Sequence, residues 1–122
     1  MVHMTSFGIY VRERREALKS QDNNKFMSLR QVAMKMGVEP AYLSKVERDI
    51  TPPPSEAKII LLSGILGEDP DLLLAMAGKI SSDLSAIIKL RPKLFGELIR
   101  NLKEQPDHAI IHIVRQVTDG DW

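Results

Sequence analysis

Two histidines with metal-chelating spacing are the residues of this sequence with the clearest capacity for chemistry. His108 and His112 are four residues apart, and on a helix that spacing lets two imidazoles hold one zinc ion. A hydrolase of the HExxH type would need a glutamate directly after the first histidine, where Ala109 stands. Isoleucines interleave the two histidines, which favours a packing helix with two partly exposed imidazoles. We therefore expect no metal site.

The other reactive side chains do not form a catalytic group either. The sequence has no cysteine, which excludes thiolate nucleophiles, thiolate metal ligands and disulfides and fits a reducing cytoplasm. No glycine-rich phosphate loop occurs. The acid pairs Asp69/Asp71 and Asp119/Asp121 fall at a helix start and in the tail, where capping and solvation explain them. The sequence predicts a protein that is not an enzyme and needs no cofactor.

Residues 28–48 place polar side chains on the outside of two short helices joined by a tight turn. Gly37 permits the positive φ of the turn, and the small Ala33 lets the second helix pass close to the first. Leu43 and Val46 are expected to be buried on the inner face of the second helix. Its outer face, which can project into a groove, carries Glu39, Ala41, Tyr42, Ser44, Lys45 and Arg48.

Eight helices and no strands are predicted to position these residues. Apolar residues recur at helical spacing in every segment, while capping residues, glycines and prolines mark the ends. The first five helices are expected at about residues 5–19, 28–36, 40–48, 55–66 and 69–76. Three more are expected at 82–90, 92–104 and 106–117.

The chain is expected to divide into two parts, residues 5–79 and 80–122. Residues 1–50 hold nine Lys or Arg against six Asp or Glu, so the excess positive charge lies near the groove-facing helix. The second part carries more large aliphatic residues than three short helices can bury among themselves. The residues expected to meet a partner are Leu98, Ile99, Leu102, Ile110, Ile113 and Val114.

Residues 7–77 resemble the XRE, or phage-repressor-like (Cro-like, lambda-repressor-like), helix-turn-helix family. The resemblance lies in SLRQVAMKMGVEPAYLSKVERDITPPPSEAKIILLSGILGEDPDLLL, which has the family's apolar, small and turn positions in order. Two departures are Asp49, where many members have glycine, and the long loop from Ser20 to Phe26. The resemblance implies an all-α fold, with a five-helix DNA-binding domain and here a C-terminal helical extension.

The resemblance also implies a function. We expect a sequence-specific regulator of transcription, acting as a repressor, that binds a palindromic operator in double-stranded DNA as a homodimer through the major groove. Arg15 and Glu47 match a family pair that would orient the first helix on the motif. Lys35 is expected to contact a phosphate or to be solvated. The residues assigned to DNA contact are Ser28, Arg30, Gln31, Glu39, Ala41, Tyr42, Ser44, Lys45 and Arg48.

An antitoxin or adaptor is the alternative function. Its C-terminal helices would bind a protein partner, such as a toxin or a regulatory protease, instead of a second copy of the chain. The DNA-binding domain of the same chain is a third candidate for covering these helices. No apolar run approaches the roughly 20 residues that cross a bilayer, and no signal-peptide pattern is present. We therefore expect a cytoplasmic protein with no membrane partner.

Overall fold

The computed structural model describes residues 5–21 and 25–120 of the 122-residue chain. These residues form eight α-helices, a short 3-10 turn at Lys25–Met27 and no strand, which confirms the predicted all-α fold. The helices are α1 (Phe7–Ser20), α2 (Leu29–Met36), α3 (Pro40–Glu47), α4 (Glu56–Leu66), α5 (Pro70–Met76), α6 (Ser82–Leu90), α7 (Pro92–Leu102) and α8 (Asp107–Asp119). Residues 22–24 of the predicted loop, and Asp121, lie outside the described residues.

Short polar side chains fix where four of the first five helices begin. Each accepts a hydrogen bond from a backbone N–H two or three residues later, which satisfies a donor that the helix itself leaves free. α3 begins instead with Pro40, whose missing N–H suits the first helical position. The capping residues are Ser6, Ser28, Ser55 and Asp69.

The first five helices share one apolar core. α2 packs on α3 and α4, α1 packs on α3, and α4 packs on α5. The fully enclosed side chains come from all five helices, so the groove-facing segment rests on the same core as its neighbours. The buried apolar residues are Phe7, Val11, Val32, Ala33, Met36, Leu43, Val46, Ile59, Leu62, Leu66, Leu73 and Leu74.

The contacts divide the chain into two compact units, Met1–Ser81 and Ser82–Trp122. The second unit contains α6, α7 and α8, and none of the residues described in these helices is buried. Within it α6 packs on α7, whereas α8 makes at most sparse contact with either. Across the described parts of the chain, no helix combines the length and apolarity that would let it span a membrane.

Candidate nucleic-acid interface

The turn between α2 and α3 is set by one glycine and two backbone hydrogen bonds. Gly37 has φ 71°, in the left-handed region that costs a side chain-bearing residue energy. Its N–H donates to the carbonyl of Met34 at 3.0 Å, and the N–H of Val38 donates to that of Ala33, also at 3.0 Å. Val38 packs against the core. These contacts fix the direction in which α3 leaves α2.

Two lysines hold the ends of α2 in ways that the sequence pattern does not reveal. The ammonium of Lys58, on α4, donates to the carbonyl of Met36 at 2.7 Å and so satisfies an acceptor at the end of α2. The ammonium of Lys35 donates to the carbonyl of Phe26 at 3.1 Å and lies 5.7 Å from the centre of its ring. Lys35 therefore has an intramolecular partner in the free protein.

A buried ion pair connects α1 to the end of α3. Arg15 Nε lies 2.7 Å from Glu47 Oε2, and Arg15 Nη2 lies 3.0 Å from Glu47 Oε1. The side chains are only 7% and 4% exposed. Arg15 Nη1 also donates to the carbonyl of Met27 at 3.2 Å, just ahead of α2. The hydrogen bonds to Glu47 raise the pKa of Arg15. Through these contacts one guanidinium on α1 connects to the end of α3 and to the residues just ahead of α2.

A second connection between α1 and the end of α3 runs through Asp49. Its Oδ2 accepts a hydrogen bond from Ser6 Oγ at 2.6 Å, and its Oδ1 accepts one from the N–H of Gly8 at 3.2 Å. Asp49 has φ 58° and is the only residue other than glycine with a positive φ among the described ranges. The carboxylate therefore makes two contacts that a glycine at this position would lack.

Substitutions of Asp49 separate its backbone strain from its side-chain contacts. Asp49→Gly removes both acceptors but relieves the backbone strain. We expect it to lower the free energy of unfolding by about 0.5–2 kcal/mol. Asp49→Ala loses the acceptors and keeps the strain, so it should cost about 1 kcal/mol more than glycine. Urea denaturation of the three proteins measures both differences. A glycine variant as stable as the wild type would contradict a stabilising role for the carboxylate.

The residues assigned to DNA contact lie on two helices that pack on each other. On α3 and its ends, Glu39, Ala41, Lys45 and Arg48 are exposed, while Tyr42 and Ser44 are half-buried. At the start of α2, Arg30 is exposed, while Ser28 and Gln31 are half-buried. The Ser28 hydroxyl accepts a hydrogen bond from the Gln31 N–H at 3.1 Å, so its own hydrogen remains available to a phosphate.

Arg12 also lies beside these residues, although nothing in the sequence pattern marks it. A recess of about 190 Å³ is lined by residues of α1, α2 and α3 together with Arg48. Arg12 lies three residues before Arg15, which places it on the same side of α1. Its side chain is 55% exposed and pairs with Glu16 of the same helix, at 3.3 Å. The recess is lined by Arg12, Arg15, Glu16, Leu29, Ser44, Glu47 and Arg48.

The structure places the predicted partner-contact residues on α7 and α8. Leu98, Ile99 and Val114 are 44%, 55% and 57% exposed. The other three, Leu102, Ile110 and Ile113, are half-buried. His108 and His112 lie one turn apart on α8, and both are exposed. No group of three His, Asp or Glu side chains suited to a metal ion occurs within residues 5–21 and 25–120.

Comparison with known proteins agrees with the geometry of α2 and α3. A helix-turn-helix family model matches residues 24–73, a span that contains α2, α3, α4 and the start of α5. No curated protein and no solved structure gives a significant match. The matched family is one of DNA-binding regulatory domains and not of enzymes. The predicted resemblance is thus confirmed over residues 24–73, which match a helix-turn-helix of the XRE type, a family of DNA-binding domains of transcription regulators.

Proposed function

We propose that the protein is a cytoplasmic repressor that binds a palindromic operator as a homodimer and inserts α3 into the major groove. The observation that carries this proposal is the difference in burial between the two faces of α3. On the inner face Leu43, Val46 and the ion-paired Glu47 are buried. On the outer face Ala41 and Lys45 are exposed. A helix fixed in this way presents its outer face rigidly to base edges.

Charged groups around α3 suit the phosphate backbone. Arg30 at the start of α2 and Arg48 at the end of α3 are exposed cations, and Arg12 lines the same recess as Arg48. Phosphate contacts of this kind fix the register of a protein on the duplex without reading sequence. In this proposal Arg12, Arg30 and Arg48 position the domain, and Lys45 and its neighbours on α3 read the bases.

Two copies of the domain are needed for tight and specific binding. One helix reads only a few base pairs, so family operators have two half-sites whose centres are about 34 Å, or one helical turn, apart. We assign dimerisation to the helices after residue 79. The exposed aliphatic side chains of α7 and α8 also fit the alternative function, in which the extension binds a protein partner such as a toxin or a regulatory protease.

An electrophoretic shift assay with the DNA upstream of the gene tests the function directly. A repressor binds this DNA alone, whereas an adaptor needs its partner. Lys45→Ala is expected to weaken specific binding by about 1–3 kcal/mol and to change the sequence preference if Lys45 contacts a base. If Lys45 contacts a phosphate, binding to all DNA sequences weakens alike. The slope of log affinity against log salt concentration then falls by about one.

Two further variants make the assay decisive. Tyr42→Phe removes the hydroxyl that can contact a phosphate but keeps the ring, which packs against the core. Lys19→Ala, at an exposed lysine in the last turn of α1, is the control and should leave the affinity unchanged. If Lys45→Ala combined with Tyr42→Phe binds DNA as well as this control, α3 does not enter the groove.

A further inference from the structure

The second unit exposes the side chains that a small domain normally buries. Eight aliphatic residues of α6, α7 and α8 are between 44% and 75% exposed. A unit of about 40 residues cannot gain enough from such packing to be stable alone. These helices therefore present an interaction surface, and its aliphatic residues include Leu90, Leu94, Leu98, Ile99, Ile111 and Val114.

The charges of the second unit are divided between its two halves. Residues 82–103, which form α6 and α7, carry five Lys or Arg and two Asp or Glu. Residues 104–122, which contain α8, carry one Arg and four Asp or Glu. The two halves thus have opposite net charges of equal size. Electrostatic complementarity of this kind selects partners and register. Each chain carries both the basic half and the acidic half, so two copies can complement each other.

We propose that the surface is completed by a second copy, with α8 of each chain packed across α6 and α7 of the other. This inference rests on the homodimer of the proposed function and states how its two chains pair. A two-fold arrangement uses the basic half and the acidic half of both chains at once, so no charge excess is left over. An acidic partner protein would match only the basic half, and a basic one only the acidic half.

The dimensions of the helices agree with this pairing. α7 has 11 residues and α8 has 13, which correspond to about 16 Å and 20 Å at 1.5 Å per residue. Their aliphatic residues recur at intervals of three and four, as in Leu94, Leu98 and Leu102 on α7 and Ile110, Val114 and Val117 on α8. Each helix therefore offers one apolar stripe of matching length to the other.

Charge reversal of each half distinguishes pairing between chains from packing within one chain. Two full-length variants are compared with the wild type by sedimentation equilibrium at low ionic strength, where exposed charges are least screened. The basic-half variant is Lys93→Glu, Arg100→Glu and Lys103→Glu. The acidic-half variant is Glu104→Lys, Asp107→Lys and Asp119→Lys. A control variant reverses three exposed cations of the first unit, Lys19, Arg30 and Lys45.

Each reversed variant alone is expected to dimerise about tenfold or more weakly than the wild type, because like charges then face each other on both sides of the two-fold axis. An equimolar mixture of the two should regain the affinity of the wild type as a heterodimer. The control should lose much less. Circular dichroism on each sample shows whether α6, α7 and α8 remain helical.

Three results would overturn the inference. A wild type that stays monomeric at high micromolar concentration excludes the second copy. Reversed variants that dimerise like the wild type exclude the charge match. A mixture that stays monomeric means that α8 packs within its own chain. None of these measurements uses DNA, so the proposed function fails separately, through a wild type that dimerises but does not bind its upstream DNA.

Discussion

Glu47→Ala is expected to destabilise the protein by about 3–5 kcal/mol, because it leaves the Arg15 guanidinium buried without its partner. Glu47 receives two hydrogen bonds from Arg15, at 2.7 Å and 3.0 Å, and both side chains are nearly inaccessible to solvent. The end of α3 loses one of its two connections to α1 in the same step and keeps the one through Asp49. Urea denaturation of the full chain measures the loss.

A double-mutant cycle with Arg15→Met determines whether the pair itself is responsible. The double variant should be more stable than the sum of the two single losses predicts, since it leaves no unpaired buried charge. Glu16→Ala is the matched control: Glu16 pairs with Arg12 on the same helix, but both side chains are more than half exposed. It should cost at most about 0.5 kcal/mol. Strictly additive losses in the cycle would show that Arg15 and Glu47 are not coupled.

Gly8→Ala is expected to destabilise the protein by about 1–3 kcal/mol or more, although alanine normally favours a helix. A Cβ atom at residue 8 would lie 2.8 Å from the carbonyl oxygen of Glu47, and nearer still to that of Val46. Both are backbone atoms and cannot turn aside as a flexible side chain would. α1 must therefore move away from the end of α3, which also lengthens the hydrogen bond between the Gly8 N–H and Asp49.

Two other helical glycines serve as controls of opposite sign. A Cβ atom at Gly64 on α4, or at Gly96 on α7, would meet no atom within 4 Å. Gly64→Ala and Gly96→Ala should therefore stabilise the chain by up to about 1 kcal/mol through helix propensity alone. Thermal melts of the three variants test the contrast. If Gly8→Ala also raised the melting temperature, the close approach of α1 to α3 would be wrong.

The sequence predicts the helices well because each one carries its own local signals. Apolar spacing and capping residues place α2, for example, where the structure has it, between Ser28 and Gly37. α7 ends at Leu102, two residues earlier than predicted, and α8 continues to Asp119, two residues further. The error arises because the residues next to these ends, Lys103-Glu104 and Thr118-Asp119, are polar and lie outside the apolar spacing, so the spacing does not fix the boundary.

The contacts that hold α3 could not be found in this way. Asp49 lies more than 40 residues from Ser6 and Gly8, and Lys58 lies 22 residues from Met36. Contacts between residues so far apart in sequence leave no repeating pattern in a single sequence, because they depend on how the helices pack. The match of Arg15 with Glu47 came only from the family resemblance. The residues that read DNA, and the operator that they read, stay predictions for the same reason.

The separation of roles along α3 has a consequence for how this protein can change over evolutionary time. Leu43, Val46 and Glu47 anchor the helix, whereas Ala41 and Lys45 are exposed, and the two sets share no position. Exposed helical positions tolerate most substitutions within about 0.5 kcal/mol. If α3 reads the operator as we propose, new operator preferences can arise at its outer positions while the protein remains folded, and each step in that divergence is nearly neutral for stability.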